Sequence, residues 1–208
     1  MGVKRFSIEE AFEFAWEVTK QNVALFIGLL VAAVIIDTIP VALAAQLQEK
    51  HHLLAPVFSI IGWVLQTIIT MGLIKIAIQF ADGQKGGFSD LFSCASLFIP
   101  YILGSFLYAL IVLVGLVLLI VPGIIWAIRY QFFVYFIIDK KCKVFEAFQK
   151  SSEVTYGAKW RLFIFSILLT MLNFFGMIPL FMGLLVTIPI TLVAVASVYR
   201  RLASAPAA

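Results

Sequence analysis

The strongest constraint on the fold is the absence of charge from two long apolar stretches of the chain. From Leu162 to Val198 no side chain carries a full charge, and from Leu97 to Ile138 only Arg129 does. Each stretch is close to twice the roughly 20 residues that an α-helix needs to cross the hydrocarbon core of a bilayer. A helix in a soluble core has no reason to be so long and so uniformly apolar. The pattern therefore predicts pairs of membrane-spanning helices.

The overall composition supports the same conclusion. Apolar residues make up 63% of the 208 residues and charged residues 12%, against roughly half and about a quarter in soluble domains. This leaves too little polar surface to cover a water-soluble globule. The net charge of +4 comes from Lys and Arg clustered beside apolar segments, which indicates membrane orientation and not nucleic-acid binding.

Apolar runs and turn residues divide the chain into six predicted spans. Pro122-Gly123 predicts a type II turn between the third and fourth spans, because this turn favours Pro and Gly at its two central positions. A tight link between the last two spans is predicted at 176–179. The six spans cover about 23–45, 53–80, 97–120, 124–138, 162–175 and 178–199.

Three short helices are predicted, one ahead of each pair of spans. Ser7 and Glu10 fit a capping box at the start of the first, which has an apolar face and a row of glutamates. The second covers 88–92 with Ser89 as its N-cap, and the third covers about 144–155. The predicted fold class is an all-α membrane protein, with six transmembrane helices as three hairpins and a short amphipathic helix at the cytoplasmic face before each hairpin. One integral membrane domain would hold three units, at about 6–80, 88–138 and 144–199.

The distribution of Lys and Arg predicts the orientation. Segments assigned to one side of the membrane carry twelve of these residues, whereas the opposite side carries Lys50 alone. Because Lys and Arg resist translocation, the richer side is predicted to be cytoplasmic, and both termini lie on it. The predicted location is the cytoplasmic membrane. The twelve residues are Lys4, Arg5, Lys20, Lys85, Lys140, Lys141, Lys143, Lys150, Lys159, Arg161, Arg200 and Arg201.

Two of the short helices share a sequence pattern. Glu-Ala-Phe followed by Glu-Val-Thr begins at Glu10 and recurs from Glu146 with the same internal spacing, so Phe12 and Phe148 occupy equivalent positions. The segment from Phe88 reads as a degenerate third copy. Either internal repetition or convergent helix chemistry explains the match. Because the two clear copies share an orientation, the inverted repeats of many alternating-access carriers are not seen.

A family resemblance rests on the central and C-terminal part of the chain. It is carried by Val121-Pro122-Gly123-Ile124-Ile125, Arg129, Asp139, Glu146-Ala147-Phe148, Ser152, Thr155, Gly157 and Arg161-Leu162-Phe163. With these residues the chain resembles an uncharacterised bacterial family of multi-pass proteins, similar to the membrane domain joined to glycerophosphodiester phosphodiesterases. The resemblance implies six helices in the cytoplasmic membrane and no assigned activity. This sequence lacks a phosphodiesterase domain, so that catalysis is not carried over.

Charged side chains within the predicted spans are candidate functional groups, because burying them is costly. Lys75 lies near the cytoplasmic end of the second span, where its long side chain reaches the interface. Asp37 and Arg129 both lie roughly 10–12 Å below the outer surface at 1.5 Å per residue. We predict that they form an intramembrane ion pair. A substrate or proton site at the pair, and carbonyl or Gln66 partners for Arg129, are the alternatives.

The sequence contains no pattern that indicates catalysis, a cofactor or a metal. Intramembrane aspartyl proteolysis needs two aspartates within spans, and Asp37 is alone. His51 and His52 are adjacent in a short loop, where two histidines rarely bind one ion. Gly-rich phosphate loops and paired carboxylates are also missing from the sequence. We expect no enzymatic activity, no cofactor and no metal.

The expected function is that of a non-enzymatic membrane protein that organises or contacts membrane lipids, a membrane-protein partner or a second copy of itself. The alternative is a small-solute transporter or channel with a polar site at Asp37 and Arg129. The two classes differ in structure. A carrier would show a water-accessible cavity that reaches Arg129, whereas a scaffold would hold these charges sealed between packed helices.

Overall fold

The computed structural model describes residues 6–48, 54–178 and 182–204, and every regular element in these ranges is helical. Two short 3-10 helices, Phe88–Phe92 and Ala95–Leu97, interrupt the series of α-helices. The α-helices are α1 Ile8–Gln21, α2 Val23–Gln48, α3 Ala55–Ala81, α4 Phe98–Leu118, α5 Ile120–Tyr130, α6 Phe133–Lys140, α7 Val144–Val154, α8 Lys159–Met177 and α9 Leu184–Ser204.

Six helical segments of the described residues are long and apolar enough to cross a membrane. They are α2, α3, the stretch ending in α4, the stretch formed by α5 and α6, α8 and α9. This supports an all-helical, multi-pass membrane protein, as the apolar runs predict. Most bounds lie within a few residues of the predicted ones, although α9 begins at Leu184. The predicted link at 176–179 lies partly outside the described residues.

The predicted type II turn at Pro122-Gly123 is wrong. The chain reverses at Leu119, whose backbone is extended (φ −163°, ψ 143°), and Pro122 lies in the first turn of α5. Pro is well accommodated there, because the first N–H groups of a helix have no intrahelical partner. Gly123 serves close packing instead: a Cβ on Gly115 of α4 would lie 2.8 Å from the Gly123 Cα.

The second short helix also differs from its prediction. It is a 3-10 helix that follows Gly87, so Ser89 is not its N-cap. The cap comes from Asp90, whose carboxylate accepts a hydrogen bond from the Gly87 N–H at 3.0 Å. Leu91 is buried against α3. A Cβ on Gly72 of α3 would lie 2.6 Å from the Leu91 carbonyl carbon, so glycine permits this close approach.

Three helices form the centre of the described bundle. α3 packs against both α9 and α6. The Tyr199 ring of α9 contacts the rings of Phe132, Tyr135 and Phe136 at centroid distances of 6.0, 5.2 and 5.1 Å. The remaining long helices pack beside their sequence neighbours, α2 against α3, α4 against α5 and α8 against α9. We call α3, α6 and α9 the central helices.

Each short helical segment packs against one central helix. α1 packs along α9, the 3-10 segment against α3, and α7 against α6 and the end of α5. Small side chains spaced four residues apart permit the close approach of both α1 and α7. In α1 these are Ala11, Ala15 and Thr19, and in α7 they are Ala147, Ser151 and Thr155, all of them buried.

Candidate functional site

The helical stretch formed by α5 and α6 is broken at Gln131 and Phe132. Sharp breaks usually follow Pro or Gly, and neither residue is of that type. α7 supplies partners for the backbone groups at this break. Ser151 Oγ accepts the Phe132 N–H at 3.2 Å and donates to the Arg129 carbonyl at 3.0 Å. The Thr155 hydroxyl lies 3.1 Å from the same carbonyl and 2.9 Å from the Ser151 carbonyl, and it shares its one proton between these two acceptors. The α7 hydroxyl groups thus stabilise a break that the local sequence does not encode.

The Arg129 side chain also binds α7. Its Nε donates a hydrogen bond to Ser152 Oγ at 2.7 Å. The guanidinium carbon lies 5.5 Å from the ring centroid of Tyr130. A neutral hydroxyl and an aromatic ring therefore contact this cation, which is half-buried.

The structure does not bring Asp37 and Arg129 together in an ion pair. Neither side chain takes part in any ion pair within 4 Å among the described residues. The predicted pairing assumed that matched depth implies contact. The two residues have different neighbours, because α2 packs against α3 and α9, whereas α5 packs against α4, α7 and α8. Asp37 Oδ1 is buried and receives no hydrogen bond from the described residues.

A charged cluster that sequence reasoning missed joins the C-terminal ends of the central helices. Arg200 of α9 donates to both carboxylate oxygens of Asp139 at 2.6 and 2.8 Å, and to Asp82 just after α3. The Tyr199 hydroxyl donates to Asp139 at 2.9 Å. We call Asp82, Asp139, Tyr199 and Arg200 the terminal cluster. Bidentate Arg–carboxylate pairs of this kind combine strength with a fixed geometry.

A sequence signal for the terminal cluster existed. Asp82, Asp139 and Arg200 each lie at the end of a predicted span, and the charge distribution assigns all three ends to one side of the membrane. In the sequence alone, Arg200 indicates only the orientation of the last span. Which span ends are neighbours depends on helix packing, and that information is absent from the span pattern.

The repeat residues make equivalent kinds of contact in the two copies. Phe12 of α1 packs edge-on against Phe165 of α8 at 5.7 Å between centroids. Phe148 of α7 stacks on Phe133 of α6 at 4.9 Å. On the exposed faces, Glu10 pairs with Arg201 and Glu146 pairs with Lys150. In each copy, the aromatic residue contacts neighbouring helices and the glutamate binds a cation.

The N-terminal part of α7 holds a second small polar group. The Lys150 ammonium lies 2.7 Å from Glu146 and donates to Cys142 Sγ at 3.4 Å. The hydrogen bond from Lys150 lowers the pKa of Glu146, and the same bond raises the pKa of Lys150. Burial raises the pKa of the Cys142 thiol, and Lys150 offsets this only in part. A thiol whose pKa is raised remains protonated at neutral pH and is a poor nucleophile.

Two cavities of the structure are lined almost entirely by apolar side chains. The α5–α8 cavity has a volume of about 340 Å³. The α1–α9 cavity has a volume of about 390 Å³. Neither Asp37 nor Arg129 lines either of them. The linings are Val121, Ile124, Ile125, Ile128, Lys159, Trp160 and Phe163 in the first cavity, and Phe12, Glu13, Trp16, Leu172, Val186, Thr187 and Ile190 in the second.

The other predicted residues occupy unremarkable positions or lie outside the structure. Lys75 is half-buried on α3. His51, His52 and Lys50 lie outside the described residues. Within residues 6–48, 54–178 and 182–204, no group of three His, Cys, Asp or Glu side chains is arranged to hold a metal ion.

Comparison with known proteins adds no relative. No protein-family model, curated protein or solved structure matches the chain. Functional inference therefore rests on the geometry described above.

Proposed function

We propose that this chain is a non-enzymatic protein of the cytoplasmic membrane that organises or contacts lipid or protein partners. One observation carries the proposal: two arginines that lie between packed helices bind other groups of the same chain. Arg129 is bound to Ser152, and Arg200 is bound to Asp139 and Asp82. Both cavities described above are lined mainly by apolar side chains, and neither Asp37 nor Arg129 lines them. This arrangement supports a packed scaffold, because a solute pathway would need polar groups directed into a cavity.

The helix contacts also support the predicted organisation into three units. In sequence order, each unit is a short helical segment followed by two long helical stretches. The 3-10 segment of the second unit packs on α3 of the first, α7 of the third packs on α6 of the second, and α1 of the first packs on α9 of the third. Each short segment thus packs on the second span of the preceding unit, and the first unit closes the ring. Such cyclic packing is what three related hairpins would produce.

The resemblance to the multi-pass family joined to glycerophosphodiester phosphodiesterases remains part of this proposal. Several residues that carry it have structural roles here. Arg129, Ser152 and Thr155 connect α5 to α7, and Asp139 belongs to the terminal cluster. These roles support reading the shared pattern as a packing pattern and not as a catalytic one.

The transporter alternative requires Asp37 and Arg129 to share a polar cavity. The test is solute flux through the purified chain in proteoliposomes, with a trapped pH-sensitive dye for protons and an ion-selective electrode for released K⁺. We expect fluxes equal to those of protein-free vesicles. A flux that disappears in Arg129→Gln and persists in Lys143→Gln, which changes an exposed lysine at the start of α7, would refute the scaffold proposal.

Partners are tested directly in native membranes. We expect photo-crosslinking followed by mass spectrometry to recover the same lipids or membrane proteins from repeated purifications. The background is set by an unrelated six-span protein treated in the same way. Recovery of the background set alone would contradict the proposal.

Orientation needs its own measurement, because the helices fix no direction across the membrane. In a chain whose two cysteines are changed to serine, a membrane-impermeant maleimide added to intact cells should label Pro122→Cys. Lys141→Cys should be labelled only after permeabilisation. The reverse pattern would exclude the predicted cytoplasmic termini.

A further inference from the structure

The α5–α8 cavity combines an apolar wall with a single cation. We propose that it binds an anionic diacyl phospholipid, with one acyl chain in the cavity and the phosphate at Lys159. This inference deepens the proposed function and rests on it, because it requires the chain to contact membrane lipid.

The wall of the cavity suits an acyl chain. Val121, Ile124, Ile125 and Ile128 contribute aliphatic side chains from α5, and Phe163 adds an aromatic ring from α8. The volume of about 340 Å³ lies within the range of ligand pockets, roughly 300–1,000 Å³. Val121 is 66% exposed and Ile125 40%, so the cavity opens at the surface of the helices. Between membrane helices, such an opening faces lipid chains and not water.

Lys159 supplies the charge that selects an anionic headgroup. It is the only fully charged residue in the lining. No carboxylate of the described residues lies within 4 Å of its ammonium. Two neighbouring cations each donate a hydrogen bond within the chain, Arg161 to the Phe6 carbonyl at 3.2 Å and Arg129 to Ser152, and neither lines this cavity. Lys159 is therefore available for an anion from outside the chain. Basic pockets between membrane spans bind the phosphates of anionic lipids in this way.

Trp160 indicates the level of the headgroup. It follows Lys159 at the start of α8, lines the same cavity and is 71% exposed. Exposed Trp side chains concentrate at membrane–water interfaces, where the ring spans the boundary between headgroups and chains. Lys159 and Trp160 therefore mark the headgroup end of the cavity, and the aliphatic side chains of α5 lie along its chain-binding part.

The experiment uses the full chain in detergent, delipidated and titrated with phosphatidylglycerol that carries bromine on its acyl chains. Bromine quenches nearby indole fluorescence, and the difference between the native chain and Trp160→Phe isolates the signal of Trp160. We expect saturable quenching of Trp160. Lys159→Gln should weaken the apparent affinity about fivefold, the effect of removing one lysine near an anionic lipid. Lys159→Arg should retain it.

Two controls test the charge and the cavity separately. Lys143→Gln removes an exposed lysine that lines neither cavity, and it should leave the affinity unchanged. Ile125→Phe adds bulk to the cavity wall without adding an indole and should weaken or abolish saturable quenching of Trp160, whereas Ile99→Phe, on the exposed face of α4, should not. Size-exclusion profiles and melting temperatures confirm that each variant is folded.

Each outcome supports or overturns the site. Equal affinity for brominated phosphatidylcholine, or equal weakening by Lys159→Gln and Lys143→Gln, would refute the anionic-lipid site. If that happens while native crosslinking still recovers a reproducible partner set, the scaffold proposal stands and only this site fails. Arg129-dependent solute flux would refute the scaffold proposal whatever the lipid titration shows.

Discussion

The helices α1 and α7 share a repeated sequence pattern but pack against different parts of the bundle. α1 places Ala11, Ala15 and Thr19 against α9, and α7 places Ala147, Ser151 and Thr155 against the α5–α6 break. The Thr155 hydroxyl donates to the Arg129 carbonyl, whereas Thr19 Oγ1 is buried without a hydrogen-bond partner among the described residues. The buried face of α1 docks by shape alone, whereas the buried face of α7 docks by shape together with directed hydrogen bonds. The two copies differ at the second small position, which is Ala15 in α1 and Ser151 in α7. Ser151 forms hydrogen bonds to the α5–α6 break.

This difference teaches that a short-helix pattern specifies a docking surface but not the energy of docking. A buried hydroxyl that forms hydrogen bonds with the free backbone groups of a helix break stabilises the fold by about 1–3 kcal/mol, because its removal leaves a backbone group unpaired. A buried hydroxyl without a partner contributes nothing of that kind. The α7 contact should therefore tolerate polar-to-apolar changes far less than the α1 contact does.

The largest expected effect comes from the terminal cluster, which joins the end of α9 to the ends of α3 and α6. Arg200→Gln removes the bidentate partner of Asp139 and leaves it with only the exposed cation of Lys140 at 3.4 Å among the described residues, so the free energy of unfolding should fall by about 2–4 kcal/mol. The matched change Arg201→Gln removes only the exposed pair with Glu10 and should cost below about 1 kcal/mol. Unfolding by sodium dodecyl sulfate in mixed micelles measures both. Equal losses would show that the cluster does not anchor α9.

The next effect tests the α7 side of the comparison. Ser151→Ala removes the acceptor for the Phe132 N–H and one donor to the Arg129 carbonyl, which should cost about 2 kcal/mol. Thr155→Val should cost about 1 kcal/mol alone. Together they should cost more than the sum, because the carbonyl then loses both donors. The same unfolding assay provides the double-mutant cycle, and simple additivity would argue against a shared role at the break.

A matched valine substitution compares the two copies directly. Thr19→Val is nearly isosteric and removes a hydroxyl without a partner, so stability should be unchanged or slightly increased. Thr155→Val at the equivalent position of α7 should decrease it by the ~1 kcal/mol given above. Melting temperatures of the two variants in one detergent are sufficient. A loss in Thr19→Val as large as that in Thr155→Val would remove the distinction between the two docking modes.

The smallest effect is a pH dependence at the exposed pair of α7. The pKa of Glu146 is lowered by Lys150, so its stabilisation is complete above the ordinary Glu pKa and is lost as pH falls through the depressed value. Because the pair is exposed, the effect should be slight and should vanish in high salt. Comparing the native chain with Glu146→Gln across acidic pH measures it. A difference that grows as pH rises above neutrality would contradict this assignment.

Local sequence patterns predicted most of the helices and failed at contacts between distant segments. The apolar runs and the Ser7 cap located α1 and the six spans, because these signals act within one or two helical turns. The break at Gln131 and Phe132 has no local signal, since its stabilising hydroxyl groups come from α7. The type II turn predicted at Pro122 fails for a different reason. Proline is equally compatible with a turn and with the first turn of a helix, so the local signal does not distinguish the two.

The candidate site shows the same limit. Asp37 and Arg129 were matched by depth, but depth fixes only one of the three coordinates that bring two side chains together. Helix rotation and helix neighbours fix the others, and both depend on packing across the whole bundle. The sequence places Asp139 and Arg200 at the ends of predicted spans, but their contact depends on α6 and α9 being neighbours, which the sequence pattern does not show.

The contact between α1 and α9 also has a consequence for biosynthesis. Glu10 and Arg201, which pair across it, are 191 residues apart in the chain. At about 5–20 residues per second, a ribosome needs roughly 10–40 s to make the second partner after the first. During that interval α1 lacks the α9 surface on which it docks. The row of glutamates on α1 would keep this helix soluble during the interval, and α1 would dock only after α9 has been translated.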